Sequence, residues 1–155
     1  IAVIVLSIVG IPLLVVLTGG WARRKFHALQ ERYRENRPYR NLNKGLKQLQ
    51  SEMHELDGKR YYIRLLDLTR SYLEGRYSSV FRSATTGELD PQLRRVGIPA
   101  EQRARVIELF QFGDLVKFAN HRVTVHDRTR HLEAVKVLSG ELQRREWEDG
   151  DDVGA

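Results

Sequence analysis

The first twenty-two residues, Ile1 to Ala22, contain no charged side chain and are mostly aliphatic. As a helix with a rise of about 1.5 Å per residue, residues 1–20 would extend roughly 30 Å, which matches the hydrocarbon thickness of a bilayer. A buried core helix is usually shorter, and a cleaved signal peptide would have a basic region before the apolar one. The sequence therefore predicts one transmembrane helix over residues 1–21.

The residues that follow this segment predict its orientation. An aromatic residue beside a basic cluster is typical of a membrane–water interface, and by the positive-inside rule the basic flank is cytoplasmic. The predicted membrane-interface residues are Trp21, Arg23, Arg24 and Lys25. Because the chain begins at Ile1 with no initiator Met and no outer flank, we expect it to be the C-terminal part of a longer protein with an extracytoplasmic region.

The net charge of +6 is concentrated next to the predicted membrane span. Residues 21–50 contain nine basic and two acidic side chains, a charge of +7, which leaves −1 for residues 51–155. A basic stretch beside anionic lipid gains about 1 kcal/mol per Lys or Arg. Nucleic-acid binding would require basic residues on a folded face with stacking aromatics or a recognition motif, and neither is evident. The lipid bilayer is therefore an expected partner, and nucleic acid is not.

After the span, apolar residues recur with helical period, and no pair of strands is evident. A juxtamembrane helix is expected to end at Asn36-Arg37-Pro38, since the residue before proline avoids the α region. A second helix, from about Asn41 to Asp57-Gly58, is predicted by the apolar stripe Leu42, Leu46, Leu49, Met53 and Leu56. The next, from Lys59 to Arg76, has the wide apolar face of a central helix. One side is formed by Tyr62, Leu65, Leu66, Thr69 and Leu73, and it is widened by Ile63, Leu68 and Tyr72.

The C-terminal half contains further helix signals. Thr85 and Glu88 fit a capping box that starts a short helix, and Pro99 suits the first turn of a helix that extends to about Phe112. Gly113 is expected to interrupt that helix before a further short one. A second box starts the last helix, whose apolar stripe is Leu132, Val135, Leu138 and Leu142.

These signals together predict an all-α protein, in which a single N-terminal transmembrane helix precedes a cytoplasmic helical bundle of about five or six helices. The predicted organisation is a transmembrane helix over 1–21, a basic juxtamembrane helix and linker over 22–40, the bundle over 41–146 and an acidic disordered tail over 147–155. A core of this size needs no second domain.

Catalytic and metal-binding patterns are absent from the sequence. The chain has no cysteine, which excludes disulfides and thiolate chemistry, and it has no GxSxG, no phosphate loop and no GxGxxG. His121, His126 and His131 are spaced by five residues, whereas a helical metal pair needs three or four, so we expect them to be solvated surface residues. We therefore expect neither an enzyme nor a metal or cofactor site.

Structural or partner-binding roles are assigned to a small set of residues. Asp114 caps a helix and forms a surface ion pair with Lys117, or else it acts as a clamp that holds Arg70, Arg76 or Arg82. Phe118 is expected to pack inward with its apolar neighbours. The exposed apolar candidates for a partner-binding face are Phe81, Phe112 and Trp147.

Two segments are the basis of a resemblance to a known family. They are SYLEGRYSSVFRSATTGEL, residues 71–89, and ELFQFGDLVKFAN, residues 108–120. With the helices around them, over roughly residues 61–142, they resemble the cytoplasmic C-terminal region of BatD-like, Bat-type bacterial membrane proteins. The resemblance implies an extracytoplasmic region before a single membrane helix, and a place in the bacterial inner membrane. The partners it implies are von Willebrand A domain membrane proteins and a MoxR-type AAA+ ATPase.

Two functions fit the sequence. The first is a membrane-anchored assembly or adaptor protein whose bundle docks protein partners in a complex of a MoxR ATPase and von Willebrand A proteins. The alternative is a transmembrane signalling or transport component that relays the state of the extracytoplasmic region.

Overall fold

The computed structural model describes residues 36–79, 81 and 83–151, with the backbone alone for 145–151. This part of the chain contains five helices and no strand, which confirms the all-α fold class. The helices are α1 (Arg37–Ser51), α2 (Gly58–Tyr77), α3 (Thr86–Arg95), α4 (Ala100–Phe118) and α5 (Val125–Asp151). The predicted transmembrane helix, with Trp21, Arg23, Arg24 and Lys25, lies outside the described residues. None of the five helices is long and apolar enough to span a bilayer.

Helix α1 begins earlier than predicted. It starts at Arg37 rather than at about Asn41, and Pro38 lies in its first turn. The predicted juxtamembrane helix before it falls outside the described residues, apart from Asn36. Proline is tolerated there because the first N–H groups of a helix have no intrahelical acceptor. The predicted apolar stripe faces the core, since Leu42, Leu46 and Leu49 are buried.

Helices α1 and α2 form an antiparallel pair. Near one end, the Pro38 side chain lies 3.2 Å from the Cβ position of Gly75, and at the other end Arg64 forms an ion pair with Glu52. The Asp57 side chain caps α2 by accepting a hydrogen bond from the Arg60 amide at 2.8 Å. Most of the wide apolar face predicted for α2 is confirmed, since Tyr62, Leu65, Leu66, Thr69, Tyr72 and Leu73 are buried. Ile63, which was predicted to widen this face, is exposed.

Helix α5 lies parallel to α2 along its length. The Tyr61 hydroxyl donates to the Arg128 carbonyl at 3.1 Å, and the Tyr72 hydroxyl donates to the Ser139 carbonyl at 3.3 Å. The two bonds join residues at the same separation in sequence, 67, so the helices advance in register. The apolar stripe predicted for α5 is buried; it consists of Leu132, Val135, Leu138 and Leu142. The backbone of α5 is helical to Asp151, so part of the predicted acidic tail is helix rather than disordered chain.

Helix α4 is continuous through Gly113, so the predicted interruption is wrong. A Cβ at Gly113 would lie 2.5 Å from Cδ1 of Leu66 on α2. The glycine therefore makes room for the Leu66 side chain where the two helices approach closely, and it costs α4 only about 1 kcal/mol of helix propensity. Helix α4 lies antiparallel to α5, to which it is linked by an ion pair of 3.1 Å from Arg105 to Glu141.

Both predicted capping boxes are present. The Glu88 carboxylate accepts from the Thr85 amide at 2.8 Å at the start of α3. At the start of α5, the Asp127 carboxylate accepts from the Thr124 amide at 3.0 Å, and the Thr124 hydroxyl accepts from the Asp127 amide at 3.1 Å. These bonds satisfy amides that have no acceptor within their helices, and so they fix where α3 and α5 begin.

Phe81 lies in the connection between α2 and α3 and is fully buried. The prediction that it is exposed is therefore wrong. Phe81 is the one aromatic residue in the sequence of this connection, residues 78–85. Its side chain packs into the hydrophobic core.

Candidate protein-docking site

Four large apolar side chains are exposed at one end of the bundle, which we call the apolar tip. They are Ile63, Leu115, Phe118 and Val125, with exposed fractions of 47%, 51%, 80% and 47%. Helix α2 begins at this end, α4 ends here and α5 begins here, because α2 and α5 are parallel and α4 opposes them. The fifth exposed large apolar residue of the described part, Val137, lies in the middle of α5, twelve residues and about 18 Å along the helix from Val125.

Phe118 has the most exposed of these side chains, which contradicts the prediction that it packs inward. Val116 is the residue that faces the core at this point of α4, and two further residues turn the helix by about 200°. Leu115 precedes Phe118 by three residues and so lies on the same outer face. The Lys117 ammonium lies 5.1 Å from the centre of the Phe118 ring, which places a positive charge beside the apolar tip.

Asp114 joins the end of α4 to the start of α3. Its carboxylate accepts from the Lys117 ammonium at 2.8 Å and from the Thr86 hydroxyl at 2.5 Å. Partial burial raises the pKa of Asp114, but these hydrogen bonds, with the charges of Lys117 and Arg70, outweigh it and hold the pKa below its ordinary value. Asp114 therefore stays ionised and holds the α3–α4 contact beside the tip.

Of the roles predicted for Asp114, the helix cap is wrong and the ion pair is present. Asp114 cannot cap a helix, because it lies inside α4 rather than at the start of one. The predicted ion pair with Lys117 is present. Of the three arginines proposed for a clamp, Arg70 is close enough for its charge to lower the pKa of Asp114. Arg76 instead donates to the Leu142 carbonyl and the Gln143 side chain on α5, and Arg82 lies outside the described residues.

His131 is buried, with 5% of its surface exposed, so the prediction that it is a solvated surface residue is wrong. Its Nδ1 lies 2.5 Å from the Tyr62 hydroxyl. The Phe112 ring packs on the imidazole with a centroid distance of 4.5 Å, and His121 lies against the other side of Phe112 at 5.3 Å. Phe112 is thus part of an aromatic cluster and is not the exposed partner-binding residue that was predicted.

The ionisation of this aromatic cluster is shifted by its burial. Burial, and then the charge of Asp127, raises the pKa of the Tyr62 hydroxyl, so that it remains protonated. Burial, and then the charge of Arg130, lowers the pKa of His131. Tyr62 and His131 are therefore both neutral at physiological pH. Both side chains pack against Phe112, close to the apolar tip.

No described group of three or more His, Asp or Glu side chains is arranged to hold a metal ion. The side chain of Trp147, the remaining predicted partner-binding residue, is outside the described part of the chain. The residues that sequence reasoning missed are Ile63 and Leu115. Ile63 was assigned to the apolar face of α2, and only the position of the neighbouring helices shows that this part of the face is uncovered.

Comparison with known proteins identifies no relative: no protein family, no curated protein and no solved structure matches the chain. The likeness to Bat-type membrane proteins therefore stays a prediction.

Proposed function

We propose that this chain is a membrane-anchored adaptor whose helical bundle docks a protein partner through the apolar tip. The observation that supports the proposal is the exposure of Phe118, with Leu115 one turn before it, on a bundle whose other large apolar residues are mostly buried. An aromatic side chain held on a rigid helix makes an effective anchor for a partner, because little conformational freedom is lost when it is buried. Exposed basic residues at this end of the bundle include Lys59, at the start of α2, and Arg122, in the connection before α5.

The resemblance supplies candidate partners. If the chain works as Bat-type proteins are expected to, the tip docks a von Willebrand A domain membrane protein, and the complex includes a MoxR-type ATPase. The anchor is the apolar segment over residues 1–21, and the bundle lies on the cytoplasmic side of a bacterial inner membrane. The proposal includes no catalytic role.

The proposal is tested by co-purification from a mild detergent with the von Willebrand A protein and ATPase of the same organism. The double variant Leu115→Ser and Phe118→Ser should weaken the complex by at least about tenfold, since burying one such side chain contributes about 1.5–3 kcal/mol. The matched control is Val137→Ser, which removes an equally exposed apolar side chain, 51%, away from the tip.

Three outcomes decide the proposal. A complex that survives Val137→Ser and is lost in the double variant supports docking at the tip. Equal binding by the native chain, the double variant and Val137→Ser places the interface elsewhere. Recovery of the native chain as a lone monomer contradicts the adaptor function, and favours the alternative of a component that relays a signal across the membrane.

A further inference from the structure

The outer face of α1 is entirely basic or neutral. The helix contains four basic residues and no acidic one. The basic residues recur at spacings of three, four and three and are all exposed: Arg37, Arg40, Lys44 and Lys47. At about 100° per residue these positions fall within an arc of roughly 80°, so they form one stripe along the helix, which we call the basic face.

The basic face is directed away from the core of the bundle. The buried residues Leu42, Leu46 and Leu49 occupy the opposite side of α1. The exposed residues between the basic side chains are neutral, Asn41 and Gln48 among them. The basic face therefore presents ammonium and guanidinium groups to solvent over about 15 Å, the axial distance of ten residues.

We propose that the basic face of α1 lies on the surface of an anionic bilayer and binds phospholipid headgroups. This inference rests on the membrane anchor of the proposed function. The uncharged segment ends at Ala22, and α1 begins fifteen residues later, with a net charge of +3 on residues 23–35 between them. In the sequence, the basic face of α1 therefore continues the basic stretch that follows the anchor.

The chemistry of the face fits lipid better than nucleic acid. A nucleic-acid surface pairs basic groups with aromatic side chains that stack on bases. The one aromatic residue of α1, Tyr39, packs against the core instead. Headgroups require only positive charge close to the surface, and each Lys or Arg there strengthens binding about fivefold.

The chain has no cysteine, so single cysteines can be introduced for labelling. The full chain is reconstituted in lipid nanodiscs, with Gln48→Cys as the label site on the basic face and Gln111→Cys, exposed on α4, as the control site. Each carries a fluorophore, and the discs carry a quencher on their headgroups. We expect quenching at Gln48→Cys in phosphatidylglycerol discs, little quenching in phosphatidylcholine discs, and a loss of the difference at high salt.

Charge reversal tests whether the basic face itself is responsible. Adding Lys44→Glu and Lys47→Glu should abolish the quenching in anionic discs. The matched pair, Arg94→Glu and Arg95→Glu, makes the same change of charge at exposed positions of α3 and should leave it intact. An equal loss in both pairs would mean that only net charge matters and would overturn the proposal.

The remaining outcomes separate this inference from the proposed function. A chain that inserts in discs but shows no quenching at Gln48→Cys overturns the lipid contact and leaves the anchor intact. A chain that fails to enter discs at all overturns both. Binding to duplex DNA that is lost with Lys44→Glu and Lys47→Glu, without quenching in anionic discs, assigns the face to nucleic acid.

Discussion

The imidazole ring of His131 is buried beside the Tyr62 hydroxyl, where protonation of the ring is unfavourable. The Nδ1 atom faces the Tyr62 hydroxyl, and Nε2 lies 3.3 Å from the Arg130 guanidinium. A proton on both ring nitrogens would place an imidazolium beside a second cation. Of the charged groups around the ring, Asp127 and Glu108 oppose this effect, but burial and Arg130 outweigh them, so the pKa of His131 is lowered.

We predict that this histidine makes the bundle sensitive to acid. In the unfolded chain His131 titrates near its ordinary pKa of 6.5, whereas in the fold its pKa is lower. The unfolded state therefore binds the proton first, and the contribution of His131 to stability is present above about pH 6.5 and declines as the pH falls below it. Urea unfolding at pH 7.5 and pH 5.5 measures the loss. His131→Gln should reduce it, and an unchanged loss in that variant would assign the acid sensitivity to other groups.

At the scale of the helices, close crossings rather than propensity decide where glycine is placed. Gly113 lies inside α4, and its missing side chain is replaced by the buried Leu66 of α2. Gly140 lies inside α5 with nothing within 4 Å of its Cβ position. The same residue type therefore has a packing role in one helix and none in the other.

We predict opposite effects of alanine at these two glycines. Gly113→Ala gains up to about 1 kcal/mol of helix propensity but forces the Leu66 side chain to move in a packed core, which costs about 1–3 kcal/mol, so it should be destabilising. Gly140→Ala meets no such contact and should stabilise by roughly 0.5–1 kcal/mol. Denaturant unfolding of the two variants measures both values, and two changes of the same sign would contradict this account of Gly113.

The apolar periodicity of the sequence was sufficient to predict most of the core. The stripes of α1, α2 and α5 were predicted from spacing alone, because a helix shows its buried face in its own sequence. The error at Gly113 depends on a second helix. Gly113 was predicted to interrupt the helix because the close approach of α2 is not visible in the sequence of α4.

The candidate docking site was predictable only in part, for the same reason. His131 was assigned to the surface because its partner, Tyr62, is 69 residues away in sequence. Phe118 was assigned to the core because an apolar run at the end of α4 does not show which residues its neighbours leave uncovered. The apolar tip is a property of how three helix ends meet, and no one of the three segments encodes it.

On the scale of the whole bundle, Arg128 links the last helix to the connection between the first two helices. Arg128, in the first turn of α5, donates to the Leu56 carbonyl at 2.7 Å and to the Met53 carbonyl at 2.5 Å, in the connection between α1 and α2. Its guanidinium also lies 5.3 Å from the centre of the Tyr61 ring. The two hydrogen bonds join residues that are more than 70 positions apart, and with the Tyr61 contact they close the bundle at the end that bears the apolar tip.

We predict that Arg128→Met destabilises the whole bundle by about 2 kcal/mol, since methionine keeps most of the apolar stem but leaves two partly buried carbonyls without their donor. The matched control is Arg122→Met, which removes an exposed guanidinium from the preceding connection and should change stability by no more than about 0.5 kcal/mol. Urea unfolding followed by far-UV circular dichroism compares the two. Equal effects would show that the charge, and not closure of α5 onto the α1–α2 connection, is what stabilises this end. A loss confined to Arg128→Met, with one cooperative transition retained, would show that the five helices unfold as a unit that depends on this contact.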